Sequence, residues 1–215
     1  MVSTARRPEL PVERIRLDGV DWETYEKLLA AIGEQHLRCN YDRGRLEIMA
    51  PLRIHEREKK LLASMVERIT EVRDLPFEPC GSMTIRRKDL KKGFEPDECF
   101  YIEHAEQMRE WREPDFTTDP PPDLAIEVDV TSSSVDRQLL YASLGIPELW
   151  RFDGEFVEIL LLSAGTYQKV DASRSFPFLT AADINRFLAM YDTMTFRDVL
   201  KQVESWLRGL PHTGG

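Results

Sequence analysis

Residues 123–130, DLAIEVDV, constrain the fold of this chain more than any other stretch, because they predict a β-strand with one buried side. Side chains alternate between the two faces of a strand. One face would carry only aliphatic residues and pack on a core: Leu124, Ile126, Val128 and Val130. The other would carry a small residue and three acids: Asp123, Ala125, Glu127 and Asp129. These acids lie either on a solvated outer face or in a functional site.

The other predicted elements indicate an α/β protein of mixed α+β type, with a central mixed sheet flanked by helices. Apolar periodicity predicts helices over residues 21–34, 54–72, 134–145, 181–191 and 195–208, and a weak helix over 105–111. Strands are predicted around turns at 42–44 and 153–154, over 166–170, and in PFEPCGS, MTIRRK and ECFYI. We expect an N-terminal extension (1–20), one domain (21–208) and a frayed C-terminus (209–215).

Composition excludes several classes of protein. The 215 residues suffice for one domain with a sizeable core. No apolar run is long enough to span a bilayer, and no apolar segment follows the first arginines, so we expect no membrane and a cytoplasmic location. Three scattered cysteines argue against a disulfide framework or a zinc site. With a net charge of −9, a nucleic-acid-binding chain would have to concentrate its basic residues on one face.

A second acid precedes another apolar segment, in GFEPDECFYI. Asp97 opens that segment and could lie beside Glu127 on a paired strand. Two carboxylates so close repel each other, and one stays protonated unless a cation lies between them. Magnesium commonly takes one or two protein carboxylates and completes its shell with water and phosphate oxygens. The pair therefore suggests a divalent-cation site.

A cation follows the acidic strand in TSSSVDR, which predicts a helix start. Ser133 and Asp136 have the spacing of a capping box, and Arg137 would then lie in or near the first turn. A positive charge at that place opposes the helix dipole, which suggests a carboxylate partner on the preceding strand. The alternative is a simple surface ion pair.

The long helix opens with IHEREKKLL, which places a histidine and two acids at the end of an apolar stripe. On an ideal helical wheel His55 and Glu58 share the face of Leu62, whereas Glu56 points elsewhere. Helix starts depart from ideal wheels, so both acids remain candidates. The alternative for His55 is a hydrogen-bonded residue at a helix entrance.

Two metal-held carboxylates and a nearby cation suit phosphodiester hydrolysis.

EPDECFYI, PDLAIEVDVTSSSVDR and YASLGIPELWRFDG resemble the PD-(D/E)XK nuclease superfamily, and within it the restriction endonucleases called Uma-two. The resemblance runs from about Trp22 to Asp153 and implies a restriction-endonuclease-like fold. It matches Asp97 and Glu127 to the two acids of the motif. The backbone carbonyl of Val128 would be a further metal ligand, and Asp129, another candidate ligand, stands where the parent pattern has lysine.

In this branch the lysine has moved to the next helix, four residues before a tyrosine. Here Arg137 stands four residues before Tyr141, so the resemblance implies that the cation is kept and its type is changed. Arginine holds a phosphate or a developing charge but does not readily give up a proton. His55 and Glu56 match the His-Glu pair at the start of the long helix, where the superfamily places an auxiliary acid; Glu56 and Glu58 both stay open for that role.

The resemblance implies a Mg²⁺- or Mn²⁺-dependent DNA endonuclease that works as a homodimer. The first alternative is a nucleic-acid-binding or assembly module without turnover, which the arginine at 137 and the net charge of −9 favour. The second is a carboxylate-pair hydrolase acting on another substrate, such as a glycoside, which needs neither metal nor cation. The compact basic run RRKDLKK, Arg86–Lys92, is either a phosphate-gripping loop or a solvated charged turn.

Overall fold

The structure is a computed structural model that describes residues 14–33, 35, 37–50, 53–109, 113–128 and 136–211, without the side chains of residues 53–55. The strands are β1 (Arg14–Asp18), β2 (Arg38–Asp42), β3 (Arg45–Met49), β4 (Glu78–Gly81), β5 (Ile85–Arg87), β6 (Lys92–Phe94), β7 (Glu98–Tyr101), β8 (Leu124–Val128), β9 (Glu148–Phe152), β10 (Val157–Ser163) and β11 (Thr166–Val170). The helices are α1 (Trp22–Ile32), α2 (Arg53–Arg73), α3 (Ala105–Met108), α4 (Arg137–Ser143), α5 (Ala181–Met190) and α6 (Phe196–Gly209).

These strands form two sheets rather than the single one expected. A six-stranded sheet has the order β11-β10-β9-β8-β7-β4, and a five-stranded sheet has the order β1-β3-β2-β6-β5. The six-stranded sheet is mixed, as predicted, because β8 and β9 are parallel while its other neighbours are antiparallel. Helix α4 lies in the connection between β8 and β9, since parallel neighbours require a crossover. The mixed α+β class is confirmed.

Strand β8 is buried on both faces. Leu124, Ile126 and Val128 pack in a core that includes residues of α2, α5 and α6, which confirms the purely apolar face. Ala125 packs on the opposite side, in a second core with Leu140 and Tyr141 of α4. On the acidic face Asp123 and Glu127 are only 4 % and 2 % exposed, so the solvated alternative is wrong for these two acids; Asp129 lies outside the described residues.

The five-stranded sheet has its own core under α1. The predicted N-cap is confirmed, since Asp21 accepts a 2.7 Å hydrogen bond from the backbone N–H of Thr24. The apolar stripe of α1 covers the sheet, with Trp22 and Tyr25 packed against Tyr41. Among the described ranges, no helix is both long and apolar enough to cross a membrane.

Three local features differ from expectation. Strand β1 pairs along the whole of β3, although it lies within the stretch predicted as an extension. The basic run folds as the β5–β6 hairpin, and β6 was not predicted. The predicted capping box is wrong as a helix start: α4 begins at Arg137, and the side chain of Asp136 is the N-cap, accepting from Leu139 N–H at 3.1 Å. Ser133 lies outside the described residues.

Candidate functional site

Asp97 and Glu127 lie next to each other on neighbouring strands. Strands β7 and β8 are antiparallel, with Glu98 opposite Ile126, so the next step of the register brings Asp97 opposite Glu127. The backbone N–H of Val128 donates a 2.6 Å hydrogen bond to Asp97 Oδ2. Both acids are buried, with exposures of 1 % and 2 %. The structure thus brings together the two carboxylates that the sequence singled out.

Helix α4 supplies two donors to Glu127. Arg137, its first residue, forms an ion pair with Glu127 Oε1 through Nη1 and donates from Nη2 to the backbone carbonyl of Glu95 at 3.3 Å. Tyr141, one turn later, donates a 2.5 Å hydrogen bond to Glu127 Oε2. Burial, together with the negative charge of Glu127, raises the pKa of Tyr141 well above its usual value. The phenol therefore stays protonated and remains a donor.

Arg38, at the start of β2, is a member of this site that the sequence did not predict. Its Nη1 forms an ion pair with Asp97 Oδ1, and its Nη2 lies 3.8 Å from Glu56 Oε1. The residue is only 8 % exposed. An arginine inside a predicted strand was the available signal, because a buried guanidinium requires a carboxylate partner.

Each oxygen of the two carboxylates consequently contacts a donor. Asp97 is held by Arg38 and by a backbone N–H, and Glu127 is held by Arg137 and Tyr141. Two guanidinium groups offset the two negative charges, which explains how acids this close are both accommodated in the interior.

Further acids surround this pair. Lys59 of α2 lies 3.1 Å from Glu56 and 3.8 Å from Glu98. Arg38 and Lys59 form one ion-pair network with three carboxylates: Glu56, Asp97 and Glu98. Arg137 and Glu127 form a separate ion pair beside it. Glu95 adds another acid beside it; burial raises the pKa of Glu95, while Thr84, Arg38 and Arg137 act in the opposite direction. We call the described charged residues of this site the acid cluster: Arg38, Lys59 and Arg137 with Glu56, Glu95, Asp97, Glu98 and Glu127. The acid cluster has more carboxylates than cations.

The two candidate auxiliary acids occupy different places. Glu56 is 46 % exposed at its side chain and contacts Arg38, which links it to Asp97. Glu58 is buried and lies 3.9 Å from Arg57. The side chain of His55 and the whole of Asp129 lie outside the described residues.

The acid cluster fits a lightly coordinated divalent cation. Within the described residues no three His, Cys, Asp or Glu side chains gather as a metal site. Magnesium needs only one or two protein carboxylates, since water and phosphate oxygens complete its shell. Asp97 and Glu127 supply that number, and the surplus of carboxylates around them favours a positive ion.

The acid cluster opens into a cleft of about 1340 Å³. Arg38, Glu56, Lys59 and Glu95 line the cleft on the side of the cluster. The other walls are formed by α1, by the β5–β6 hairpin with Arg86 and Lys88, and by residues 113–117. The cleft therefore reaches the edge of the acid cluster, whereas Asp97 and Glu127 lie behind these lining residues.

A family model described as "Uma2: Putative restriction endonuclease" matches residues 22–188, a span that includes the acid cluster and every described residue that lines the cleft. No curated protein matches the chain.

Proposed function

The chain belongs to the Uma2 family, and from that premise we propose that it is a magnesium-dependent DNA endonuclease that hydrolyses phosphodiester bonds. Its two sheets flanked by helices are consistent with a restriction-endonuclease-like fold. The observation that carries the proposal is the buried pair Asp97 and Glu127, which lie side by side with Arg137 in contact, next to a cleft large enough for a nucleic-acid strand.

Asp97 and Glu127 would hold the cation, with the carbonyl of Val128 as a further ligand. When bound, Mg²⁺ or Mn²⁺ polarises the phosphate and lowers the pKa of an attacking water. Glu56 lies at the cleft beside Arg38 with a half-exposed carboxylate, and it would accept a proton from that water. This role assigns the auxiliary acid to Glu56 rather than to the buried Glu58.

Arg137 stabilises charge rather than moving protons. Its guanidinium stays protonated at any working pH, so it cannot act as a general base. Its contacts with Glu127 and with the Glu95 carbonyl fix it beside the carboxylate pair, where it can offset the negative charge that develops on the phosphate. Arg137 therefore replaces the electrostatic part of the lysine role and leaves proton transfer to Glu56.

The substrate would enter along the cleft. Arg86 and Lys88 line its far wall and supply positive charge for phosphate contacts, although the chain as a whole is acidic. We also propose that two copies associate, so that two sites address the two strands of a duplex. The prediction is a dimer mass in light scattering, and a monomer with full activity contradicts it.

The second candidate function is a nucleic-acid-binding module without turnover. The observation that favours it is the full engagement of both carboxylates by donors of the chain itself, with an arginine at 137. Under this alternative the arginines stay on Asp97 and Glu127, and no divalent cation enters. DNA binding that is independent of Mg²⁺ and is never followed by cleavage identifies this function.

The test is cleavage of supercoiled plasmid in Mg²⁺ or Mn²⁺. Asp97→Asn and Glu127→Gln each abolish nicking, because each removes a negative ligand while keeping the size of the side chain. The control is Glu158→Gln on β10 of the same sheet, whose carboxylate pairs with Lys169 at 2.9 Å away from the acid cluster and whose loss leaves nicking unchanged. Cleavage that survives both site substitutions refutes the assignment.

A further inference from the structure

Arg38 and Arg137 hold the two acids in different ways. Arg137 is anchored at two points, on Glu127 and on the Glu95 carbonyl, and it is not one of the described residues that line the cleft. Arg38 contacts Asp97 and stands at the cleft wall, with the exposed Glu56 3.8 Å from its second nitrogen. Both residues are equally buried, at 8 % exposure, but of the two only Arg38 lines the described cleft.

Arg38 and a divalent cation would compete for the same carboxylate. Val128 N–H donates a 2.6 Å hydrogen bond to Asp97 Oδ2 and the guanidinium of Arg38 contacts Oδ1, so a cation bound to this carboxylate comes directly beside Arg38. A guanidinium and a doubly charged ion on one buried carboxylate repel each other strongly, because the interior screens charge poorly. Binding of the ion at Asp97 therefore requires Arg38 to leave.

The cleft offers Arg38 a second partner. Once off Asp97, its guanidinium lies beside the path of a nucleic-acid backbone, and the planar fork of arginine binds phosphate oxygens in pairs. Glu56 would attract it only weakly, since that carboxylate is half-exposed and already lies 3.1 Å from Lys59. A phosphate in the cleft would thus favour the same Arg38 position that a divalent cation requires.

We propose that Arg38 is the resident counter-ion of Asp97 and that it exchanges this carboxylate for a substrate phosphate when a divalent cation binds. The inference rests on the proposed function and adds a coupling to it. Cation and phosphate each favour the displaced Arg38, so each tightens the binding of the other by the same factor. The exchange would keep the acid cluster neutralised in the absence of substrate.

The experiment is calorimetric titration of Mn²⁺ into the full chain, alone and with saturating thymidine 5′-monophosphate, which contains no phosphodiester to cleave. Arg38→Gln binds Mn²⁺ alone about tenfold more tightly than the unsubstituted protein, within the usual range of coupled sites. The nucleotide tightens Mn²⁺ binding to the unsubstituted protein by a larger factor than in Arg38→Gln, where only direct coordination of phosphate to the ion remains.

Two further variants serve as controls. Arg38→Lys keeps a cation on Asp97 and retains the Mn²⁺ affinity of the unsubstituted protein. Arg45→Gln removes an exposed positive charge from β3 of the sheet that carries Arg38, where Arg45 lies 3.9 Å from the exposed Asp18 and outside the described cleft lining, and leaves the affinity for Mn²⁺ alone unchanged. Near-ultraviolet circular dichroism verifies that each variant is folded. If Arg38→Gln is not folded, Arg38→Met, which keeps an apolar stem without the charge, takes its place with the same expected tightening of Mn²⁺ binding. Unchanged or weaker Mn²⁺ binding by folded Arg38→Met overturns the exchange.

Folded Arg38→Gln with unchanged or weaker Mn²⁺ affinity overturns the exchange, and the endonuclease proposal then stands if plasmid cleavage persists. Absence of Mn²⁺ binding to every variant overturns the exchange and the metal-dependent function together. The two failures are therefore distinguishable.

Discussion

Tyr141 donates a 2.5 Å hydrogen bond to Glu127 from the helix that also carries Arg137. The two donors are four residues apart and so lie on the same side of α4, where they hold the two oxygens of one carboxylate. Tyr141 also packs against Phe94 of the five-stranded sheet, with ring centroids 4.5 Å apart. This contact connects the acid cluster to the core between the two sheets.

Tyr141→Phe should destabilise the chain by about 1.5–3 kcal/mol, because it removes a buried hydrogen bond to a charged group. The ring and its packing are kept, so the loss reports the hydrogen bond. The measurement is the free energy of unfolding from urea denaturation.

The matched control for this prediction is Tyr167→Phe. Tyr167 donates a 2.8 Å hydrogen bond to the backbone carbonyl of Ile146, which is neutral, so its loss costs about 0.5–1.5 kcal/mol. If Tyr167→Phe proves as costly as Tyr141→Phe, the strong bond to Glu127 is absent in solution.

Gly93→Ala should destabilise the chain by about 1–3 kcal/mol through overpacking. A Cβ at this position of β6 would lie 2.9 Å from Cζ of Tyr25 and closer still to its hydroxyl. Tyr25 is completely buried and stacks on Tyr41, so it has little room to move. Thermal unfolding measures the loss, at roughly 2–4 °C for each kcal/mol in a chain of this size.

The control for the glycine is Gly209→Ala at the end of α6, where an added Cβ meets nothing within 4 Å. It should leave the midpoint unchanged or raise it slightly. In a Tyr25→Phe background Gly93→Ala should cost less, because the hydroxyl is the nearest atom; equal costs in both backgrounds would place the strain elsewhere.

Cys80 should be the first cysteine to react with iodoacetamide at pH 8. Hydrogen bonding with the Cys99 thiol lowers the pKa of Cys80, so a larger fraction is thiolate, the reactive form. Burial raises the pKa of Cys39 to about 12 and that of Cys99 well above its usual value, so both stay protonated at pH 8.

Peptide mass spectrometry of the folded protein measures this order. Cys80 is half-buried, whereas Cys39 and Cys99 are buried, so exposure and pKa act in the same direction. Raising the pH should accelerate alkylation of Cys80 until its thiol is fully ionised. Modification of Cys39 at an equal rate would contradict both arguments.

Most elements of the fold followed from local patterns. Helices α1, α2, α5 and α6 carry apolar stripes long enough to be unambiguous, and β8 shows one aliphatic face. Strand β6 has only three residues, including a lysine and a glycine, and is held by pairing with β2 and β5. A segment whose structure depends on its neighbours gives no periodic signal of its own.

The acid cluster was predictable in part. Asp97, Glu127 and Arg137 carried a motif, and the register of β7 and β8 brings the two acids together. Arg38 belongs to no motif that the sequence shows. Its partner Asp97 lies beside a strand of the other sheet, and only the packing of the two sheets makes them neighbours. Glu148 is the opposite case. It lies in YASLGIPELWRFDG, which carries the family resemblance, but its buried carboxylate accepts hydrogen bonds from Trp150 and Ser175, so its role is structural.

The most direct test of metal binding between Asp97 and Glu127 is a crystal of the protein soaked in Mn²⁺ and measured by anomalous diffraction. The account predicts one strong anomalous peak within direct ligand distance of both carboxylates, with the guanidinium of Arg38 moved off Asp97. A map with no peak there, and with both arginines still on their acids, contradicts it.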